Sequence, residues 1–413
     1  MTAVSDGKPA PQLRRSLNLT LLTLYGVGTT VGAGIYVLIG KVGGEAGLLA
    51  PLSFVIAGIL AGLSGCSFAE LAARFPRSAG EALYVRQGLR SVSLSTGVGL
   101  LVVLSAAISA ATITDGFVGY LADVITIEPW LATVLLLTLL GAIATWGIVE
   151  AVGIAAILTV IEIGGLLLLL WAGRGTLDEL PAALDTISFD LSDGAGLLSG
   201  TILAFFAFIG FENTVNVAEE VRDARRTLPR AIFLTLVITT TLYLAVALVA
   251  TLGAPAHELA QSEAPLVFLY ARFTGGSGAL LSAIALLAVV NGALIQIVMA
   301  ARVLYGLSRN SQAPRAFGRV WARTQTPVFA TLCVTLLVAA TALLFPIVAL
   351  ARFTSLTVLV VFVLVNVALV AIKRRERHLT RDGLSFPIWV PVVGGATSAG
   401  LAVFEVASLY AVR

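Results

Sequence analysis

Long apolar stretches separated by short polar ones dominate this chain. Eleven are read, at about residues 17–40, 46–72, 94–122, 130–147, 150–172, 194–220, 230–253, 277–308, 327–346, 352–372 and 386–410. A bilayer's hydrocarbon core, about 30 Å thick, takes roughly 20 helical residues, so each stretch predicts a spanning helix. The longest exceed that thickness and predict tilt or extension beyond the lipid. Between the seventh and eighth lies APLVFLYARF, residues 264–273, too short to span and expected as a helix on the outer surface.

Two of these stretches are interrupted. In the first, GVGTTVGAGIY places Gly26, Gly28, Gly32 and Gly34 inside the apolar run. Each glycine costs a helix about 1 kcal/mol relative to alanine. Backbone freed at membrane depth must be enclosed by protein or line a cavity. A broken helix there offers N–H groups and positive dipole to an anion from one half, and carbonyls to a cation from the other. A zwitterion such as an amino acid carries both charges. The alternative is that these glycines are packing notches between helices. The second interruption lies in 197–221, where an apolar helix meets Gly210 and turns polar at Glu212, Asn213, Thr214 and Asn216. Polar groups at membrane depth mark a pathway or site by default.

The two breaks lie five helices apart, on helices of opposite direction. That spacing predicts an inverted repeat with the site at the midplane between the halves. The expected division is a segment at 1–16, a first repeat at 17–172, a second at 194–372, and a loop with the eleventh helix at 373–413.

Charge sets the orientation. Of the 26 Lys and Arg residues, only Lys41, Arg174, Arg272, Arg352 and Arg413 fall outside the basic side of this topology. The positive-inside rule then puts the N-terminus in the cytoplasm and the C-terminus outside, in a plasma membrane of the bacterial inner-membrane type. Composition agrees: the chain is 58% hydrophobic and 12% charged, against about 25% charged in soluble domains. The net charge of +3 follows from topology and calls for no nucleic acid. Cys66 and Cys333 sit in apolar runs and His257 and His378 in loops, so no metal site, haem or disulfide is expected. The first 16 residues are polar and the first apolar run exceeds a signal-peptide h-region, so no cleavable leader is expected. No HExxH, phosphate-binding GxxxxGK[ST] or Ser/His/Asp grouping appears, and no enzyme is expected.

Five segments resemble the amino acid–polyamine–organocation superfamily in order: GVGTTVGAGIYVLIG, FAELAARFPRSAGEALYV (68–85), FFAFIGFENTVNVAEEVRDARRTLPRAI (205–232), ARVLYGLSRN (301–310) and FTSLTVLVVFVLVN (353–366). The last looks like the cationic-amino-acid-transporter-like branch. The resemblance covers nearly the whole chain. It implies an all-α polytopic membrane protein of five-plus-five inverted-repeat, leucine-transporter-type fold, with amino acid bound between helices 1 and 6. Two departures stand out. Relatives usually have twelve helices where this chain shows eleven, which puts a twelfth-helix dimer contact in doubt and leaves the oligomeric state open. Many relatives carry Lys where this chain has Glu162, fifteen residues after Gly147.

The resemblance assigns Thr30, Val31, Gly32, Ala33 and Gly34 to the unwound turn and the start of the outer half-helix. The N–H groups of Gly32, Ala33 and Gly34 would receive the substrate carboxylate. Carbonyls of Phe206, Ala207 and Ile209, before Gly210, would take the ammonium, and Phe206 or Phe208 would wall the side-chain pocket. Glu212 is expected as a gate or as a solvated vestibule residue. Glu219 and Glu220 are expected to pair with Arg222, Arg225 or Arg226. Asn291, Thr354, Ser355 and Thr357 are expected to line the pocket or an ion site, against the ordinary alternative of bonding their own helices. Asp115 would line an outer vestibule or snorkel to water.

Glu162 lies about 20 Å along its helix, away from either membrane surface. It is expected to carry a coupling proton, with sodium binding or a purely structural hydrogen bond as the alternatives. The reading is a secondary transporter of neutral L-amino acids working by alternating access. A cationic amino acid or polyamine carrier, or a non-transporting sensor, is the alternative.

Overall fold

A computed structural model describes residues 13, 15–122, 127–186, 191–262, 264–344, 347–376 and 383–411. The described residues form helices and no strand. In chain order they are α1 (Leu19–Ala46), α2 (Ala50–Arg74), α3 (Gly80–Leu89), α4 (Val92–Ala122), α5 (Pro129–Trp146), α6 (Ile148–Ala172), α7 (Leu180–Thr186) and α8 (Leu191–Ala207). After a 3-10 segment, Phe211–Glu220, come α9 (Ala224–Gly253), α10 (Ala256–Gln261), α11 (Pro265–Thr274), α12 (Ala279–Arg309), α13 (Val328–Leu344), α14 (Ile347–Arg375) and α15 (Trp389–Ala411). All eleven expected spans are present as helices. Among the described residues, nine are long and apolar enough to cross a membrane, and the two shorter apolar helices are α13 and the 389–404 part of α15. The short helix expected at 264–273 is α11, which buries Pro265, Leu266 and Leu269 against the bundle. The first span runs six residues past its expected end, to Ala46.

Helices α1 and α12 occupy the centre. α1 packs on α6, α8, α9 and α12, and α12 packs on α4, α6 and α13. On α12, Asn291–Ile295 and Ile297–Ser308 are buried throughout. Outer faces of peripheral helices carry exposed Leu135 and Leu139 on α5 and Leu332 and Leu336 on α13, the pattern of a lipid-facing belt. All five tryptophans are exposed, and Trp130, Trp146, Trp171 and Trp389 sit at helix ends. An amphipathic ring is most stable there, where lipid tails give way to water.

Sequence chemistry explains both interruptions. α1 runs on in one direction through a kink, where Gly32 alone leaves helical geometry, at φ 2° and ψ −133°. After α8 the chain does not resume an α-helix. Gly210 takes φ +136°, a conformation open to glycine, and the next ten residues wind as a 3-10 helix. Runs of that length are uncommon because 3-10 hydrogen bonds are poorer. Local side chains support this one: Glu212 Oε2 accepts the Gly210 N–H at 2.8 Å, and Thr214 Oγ1 donates to Phe211 O at 2.9 Å.

Candidate functional site

The two interruptions face each other. A side chain at Gly210 would meet the Thr29 carbonyl at 2.7 Å, so the broken segments approach backbone to backbone. Tyr243, from α9, bridges them. Its hydroxyl lies 2.7 Å from Thr30 O and 3.0 Å from Ala207 O and shares its proton between the two carbonyls.

The four glycines of α1 divide by what surrounds them. A β-carbon at Gly26 would collide with Thr235 and one at Gly28 with Thr159 and Asn291. At Gly34 it would lie 3.2 Å from the Ala207 α-carbon. Gly26 and Gly28 are packing notches, the alternative raised by their spacing, while Gly34 makes a close approach to Ala207 and also lines a cavity. Gly32 is different: an added β-carbon meets nothing within 4 Å, and the residue lines a cavity.

That cavity is about 430 Å³ in volume, within the usual range for small-ligand sites. α1, α4, α12 and α14 wall it, with the break after α8. Of the residues expected from sequence, Thr30, Gly32, Gly34, Phe206, Ala207, Ile209, Glu212 and Thr354 line it together. Others do not. Val31 is fully buried in the protein core, and the Phe208 ring turns away to pack edge-on against Tyr243, 5.1 Å between centroids. Thr357 is buried outside the lining. Gly210 sets the break without lining the space. Consecutive residues of a helix point about 100° apart, so only one side of each segment can face a common cavity. The side chains of Ala33, Asp115 and Ser355 lie outside the described ones. The Thr30 hydroxyl is engaged with Gly26 O at 2.8 Å and the Phe206 carbonyl with the Ile209 N–H at 3.1 Å.

Sequence reasoning missed Glu81, at the start of α3. Its carboxyl is buried and lines the cavity, and with Glu212 it supplies the ionisable side chains there; the described lining contains no Lys or Arg. Oε1 accepts the Asn216 Nδ2 proton at 2.9 Å, while Oε2 has no hydrogen-bond partner. Burial pushes the Glu81 carboxyl up to about 8; its hydrogen bonds to the backbone and to Asn216 pull down, and the nearby Glu212 charge pushes up. The only sequence signal was a carboxyl in a loop motif, which reads as solvated until α3 folds back under the cavity. On the far wall, Gln296 of α12 donates to Ser109 of α4 at 3.3 Å.

Glu162 and Asn291 come together, but away from the cavity lining. Asn291 Nδ2 lies 2.7 Å from Glu162 Oε1 and 3.0 Å from Thr159 Oγ1, joining α12 to α6 behind Gly28. Glu162 Oε2 and Asn291 Oδ1 have no hydrogen-bond partner. The Tyr36 hydroxyl donates to the Glu162 carbonyl at 2.9 Å, tying α6 to α1.

Below the cavity, toward the end of the bundle rich in basic residues, the segments are tied together. Asn216 Oδ1 accepts the Gly80 N–H at 3.1 Å, holding α3 to the 3-10 segment. Ser16 and Leu17 donate backbone N–H groups to Glu220 O at 2.9 and 3.0 Å. The expected pairing of Glu219 and Glu220 with Arg222, Arg225 or Arg226 is corrected here. Glu220 Oε1 pairs with the fully buried Arg302 of α12 at 3.3 Å. Glu219 accepts from the Tyr305 hydroxyl at 3.2 Å. The 3-10 winding turns both carboxyls inward to α12, while Arg222, Arg225 and Arg226 follow the chain outward.

The sequence profile of the family described as Amino acid permease matches residues 17–411. The chain is 29% identical over 405 residues to a vacuolar cationic amino acid transporter of Arabidopsis thaliana, covering 90% of this chain and 65% of the relative. It is 28% identical over 393 residues to human cationic amino acid transporter 4, covering 90% and 61%. An uncharacterized transporter of Mycobacterium tuberculosis is 32% identical over 361 residues, covering 86% and 80%. The chain thus spans a little under two thirds of the plant and human relatives.

Proposed function

The chain belongs to the amino acid permease family, and on that premise we propose that it is a secondary transporter that moves amino acids across a membrane by alternating access. One observation carries this reading: a small-ligand cavity lies where two broken helices meet, with the open kink of Gly32 on its wall. The α-carboxylate would lie against the backbone after that kink, where N–H groups and helix dipole favour an anion. The ammonium would lie toward the end of α8. There Ala207 O and Phe206 O already accept one hydrogen bond each, and each keeps a second lone pair.

For the side chain, basic amino acids fit better than the neutral ones expected from sequence. Glu81 and Glu212 face the cavity with no cation among the described lining residues. A substrate ammonium or guanidinium would answer the unpartnered Glu81 oxygen. The relatives named cationic amino acid transporters favour the same class. Neutral substrates keep the support of the apolar walls, Val102, Ile113, Val289, Met299 and Phe362 among them.

The basic end faces the cytoplasm in this proposal, and the ties below the cavity form the inner gate. Coupling runs through Glu162, which would take up and release a proton as Asn291 and α1 shift between states. Sodium binding at the same carboxyl is the competing version.

The test is uptake into liposomes holding the purified protein. Labelled lysine, arginine, alanine and leucine are offered in turn, with counterflow exchange as a second readout. Lysine or arginine flux competed poorly by leucine supports the basic class; the reverse order restores the neutral one. Binding without flux or exchange would make the protein a sensor and sink the transport reading.

A further inference from the structure

A second cavity, of about 610 Å³, opens at the basic end of the bundle, between the end of α2, the first turns of α9 and the chain leading into α15. Arg74, Arg225, Arg226 and Arg230 line it, with Phe233 and Leu384 supplying apolar surface. No acidic side chain is among the described lining residues. The positive-inside rule accounts for arginines at this end of the bundle, but it does not gather four of them around one cavity.

Local electrostatics make the arrangement unfavourable as it stands. The N-terminus of the 30-residue α9 bears the positive end of its dipole, where carboxylates stabilise and cations destabilise. Its first turn has no acidic residue, and Asp223, at the capping position, makes no side-chain capping bond. Arg225 and Arg226 stand in that turn instead. Arg226 reaches Asp223 only at 4.0 Å, on an open surface. Among the described residues, neither Arg225 nor Arg230 has an acidic partner. The spacing 226, 230, 233 sets them and Phe233 on one face of the helix.

The opposite wall is built and rigid. Glu70, fully buried, pairs with Arg74 and with Lys373 Nζ at 2.7 Å, and accepts the Phe386 N–H at 2.9 Å. Arg74 also meets Glu376 at 2.9 Å. The Phe386 ring packs edge-on against Phe233, 6.0 Å between centroids. Glu70 therefore pins the α15 approach against α2 and fixes the cavity's shape while its own charge is spent on Arg74 and Lys373.

We infer that this cavity is a binding site for a phosphate group, held by Arg225, Arg226 and Arg230 over the N-terminus of α9. Guanidinium forks and free helix N–H groups both suit phosphate oxygens. The apolar strip of Phe233 and Leu384 beside the arginines fits the glycerol and upper acyl region of a phospholipid. Its position at the basic membrane edge puts an anionic headgroup within reach. Free inorganic phosphate shares the oxygen chemistry and not the apolar contact.

The experiment compares wild type, the double variant Arg225→Gln/Arg230→Gln, and the control Arg319→Gln/Arg323→Gln, which removes two charges of the same end outside the cavity. Each is purified in detergent and titrated with phosphatidylglycerol, phosphatidylcholine or inorganic phosphate. Melting temperature and lipid retained in native mass spectrometry are the readouts. The expected result is selective retention of phosphatidylglycerol by wild type and control, reduced about tenfold in the cavity variant, with phosphatidylcholine unaffected. Stabilisation by inorganic phosphate alone, lost in the same variant, assigns the site to a soluble anion and upholds it. Equal losses in both double variants, or no anion preference in wild type, overturn the inference. Monodisperse elution of all three proteins shows that the comparison is between folded molecules.

Discussion

Asn291 of α12 donates to the Glu162 carboxyl of α6 at 2.7 Å, behind the helix whose kink faces the cavity. The pair is buried, and one oxygen on each side chain is left without a partner. A carboxyl so placed, one helix away from the cavity, is where a proton can report on the position of α1. Glu162→Gln keeps the shape and a hydrogen bond to Asn291 but cannot ionise. Under an inward pH gradient, wild type should accumulate substrate and Glu162→Gln should reach only passive equilibration, while counterflow exchange persists. Accumulation driven by sodium alone would rule out the proton version. Wild-type behaviour of Glu162→Gln with neither gradient effective would make the carboxyl structural.

Gly32 and Gly34 should part company on substitution. Valine at Gly32 sets its β-carbon in open space beside the cavity, where nothing lies within 4 Å, so the variant should lose substrate binding by about tenfold or more. Valine at Gly34 strikes the α-carbon of Ala207, so stability should fall by about 1–3 kcal/mol. Thermal melting in detergent beside radioligand binding separates the two. Unimpaired binding in a folded Gly32→Val protein would remove Gly32 from the site.

Phe206 and Phe208 should likewise divide. Phe206→Ala enlarges the cavity and should shift competition profiles toward larger side chains with little change in melting temperature. Phe208→Ala empties a core position beside Tyr243 and Gly58 and should cost about 3–5 kcal/mol of stability. An unchanged competition profile in Phe206→Ala would show that its ring does not touch substrate.

Glu81 gives a pH signature. Its folded-state value, about 8, stands above the ordinary carboxyl value of 4.5, so the folded protein binds the extra proton between the two. The contribution is fully present below the lower value and is lost as pH rises through the upper one. Melting temperature should therefore decline from about pH 5 to 8 more steeply in wild type than in Glu81→Gln. A basic substrate, which favours the ionised carboxylate, should bind more tightly as pH rises over the same range and lose that dependence in Glu81→Gln. Parallel melting profiles for the two proteins would show that Glu81 does not titrate there.

Hydropathy alone determined the eleven apolar helices, nine of them among the described residues long and apolar enough to cross a membrane, and the short helix α11, because a bilayer sorts residues by transfer energy, a property of each stretch by itself. Glycine content marked where the two breaks could fall, since each glycine weakens a helix by about 1 kcal/mol, but Gly26, Gly28 and Gly34 stay helical and packing decided that Gly32 and Gly210 carry the breaks. Which side chains share the cavity was decided only by tertiary structure. Helical phase and kink angle took Val31 and Phe208 into the core and left Phe206 at the wall. The 3-10 winding after Gly210 sent Glu220 to Arg302 and not to its near neighbours in sequence. Folding of α3 beneath the cavity buried Glu81, a carboxyl that hydropathy places in water. Charge and helix count are additive along a chain and can be read from it. A site is a meeting of residues as far apart as Glu81 and Glu212, and packing alone fixes that meeting.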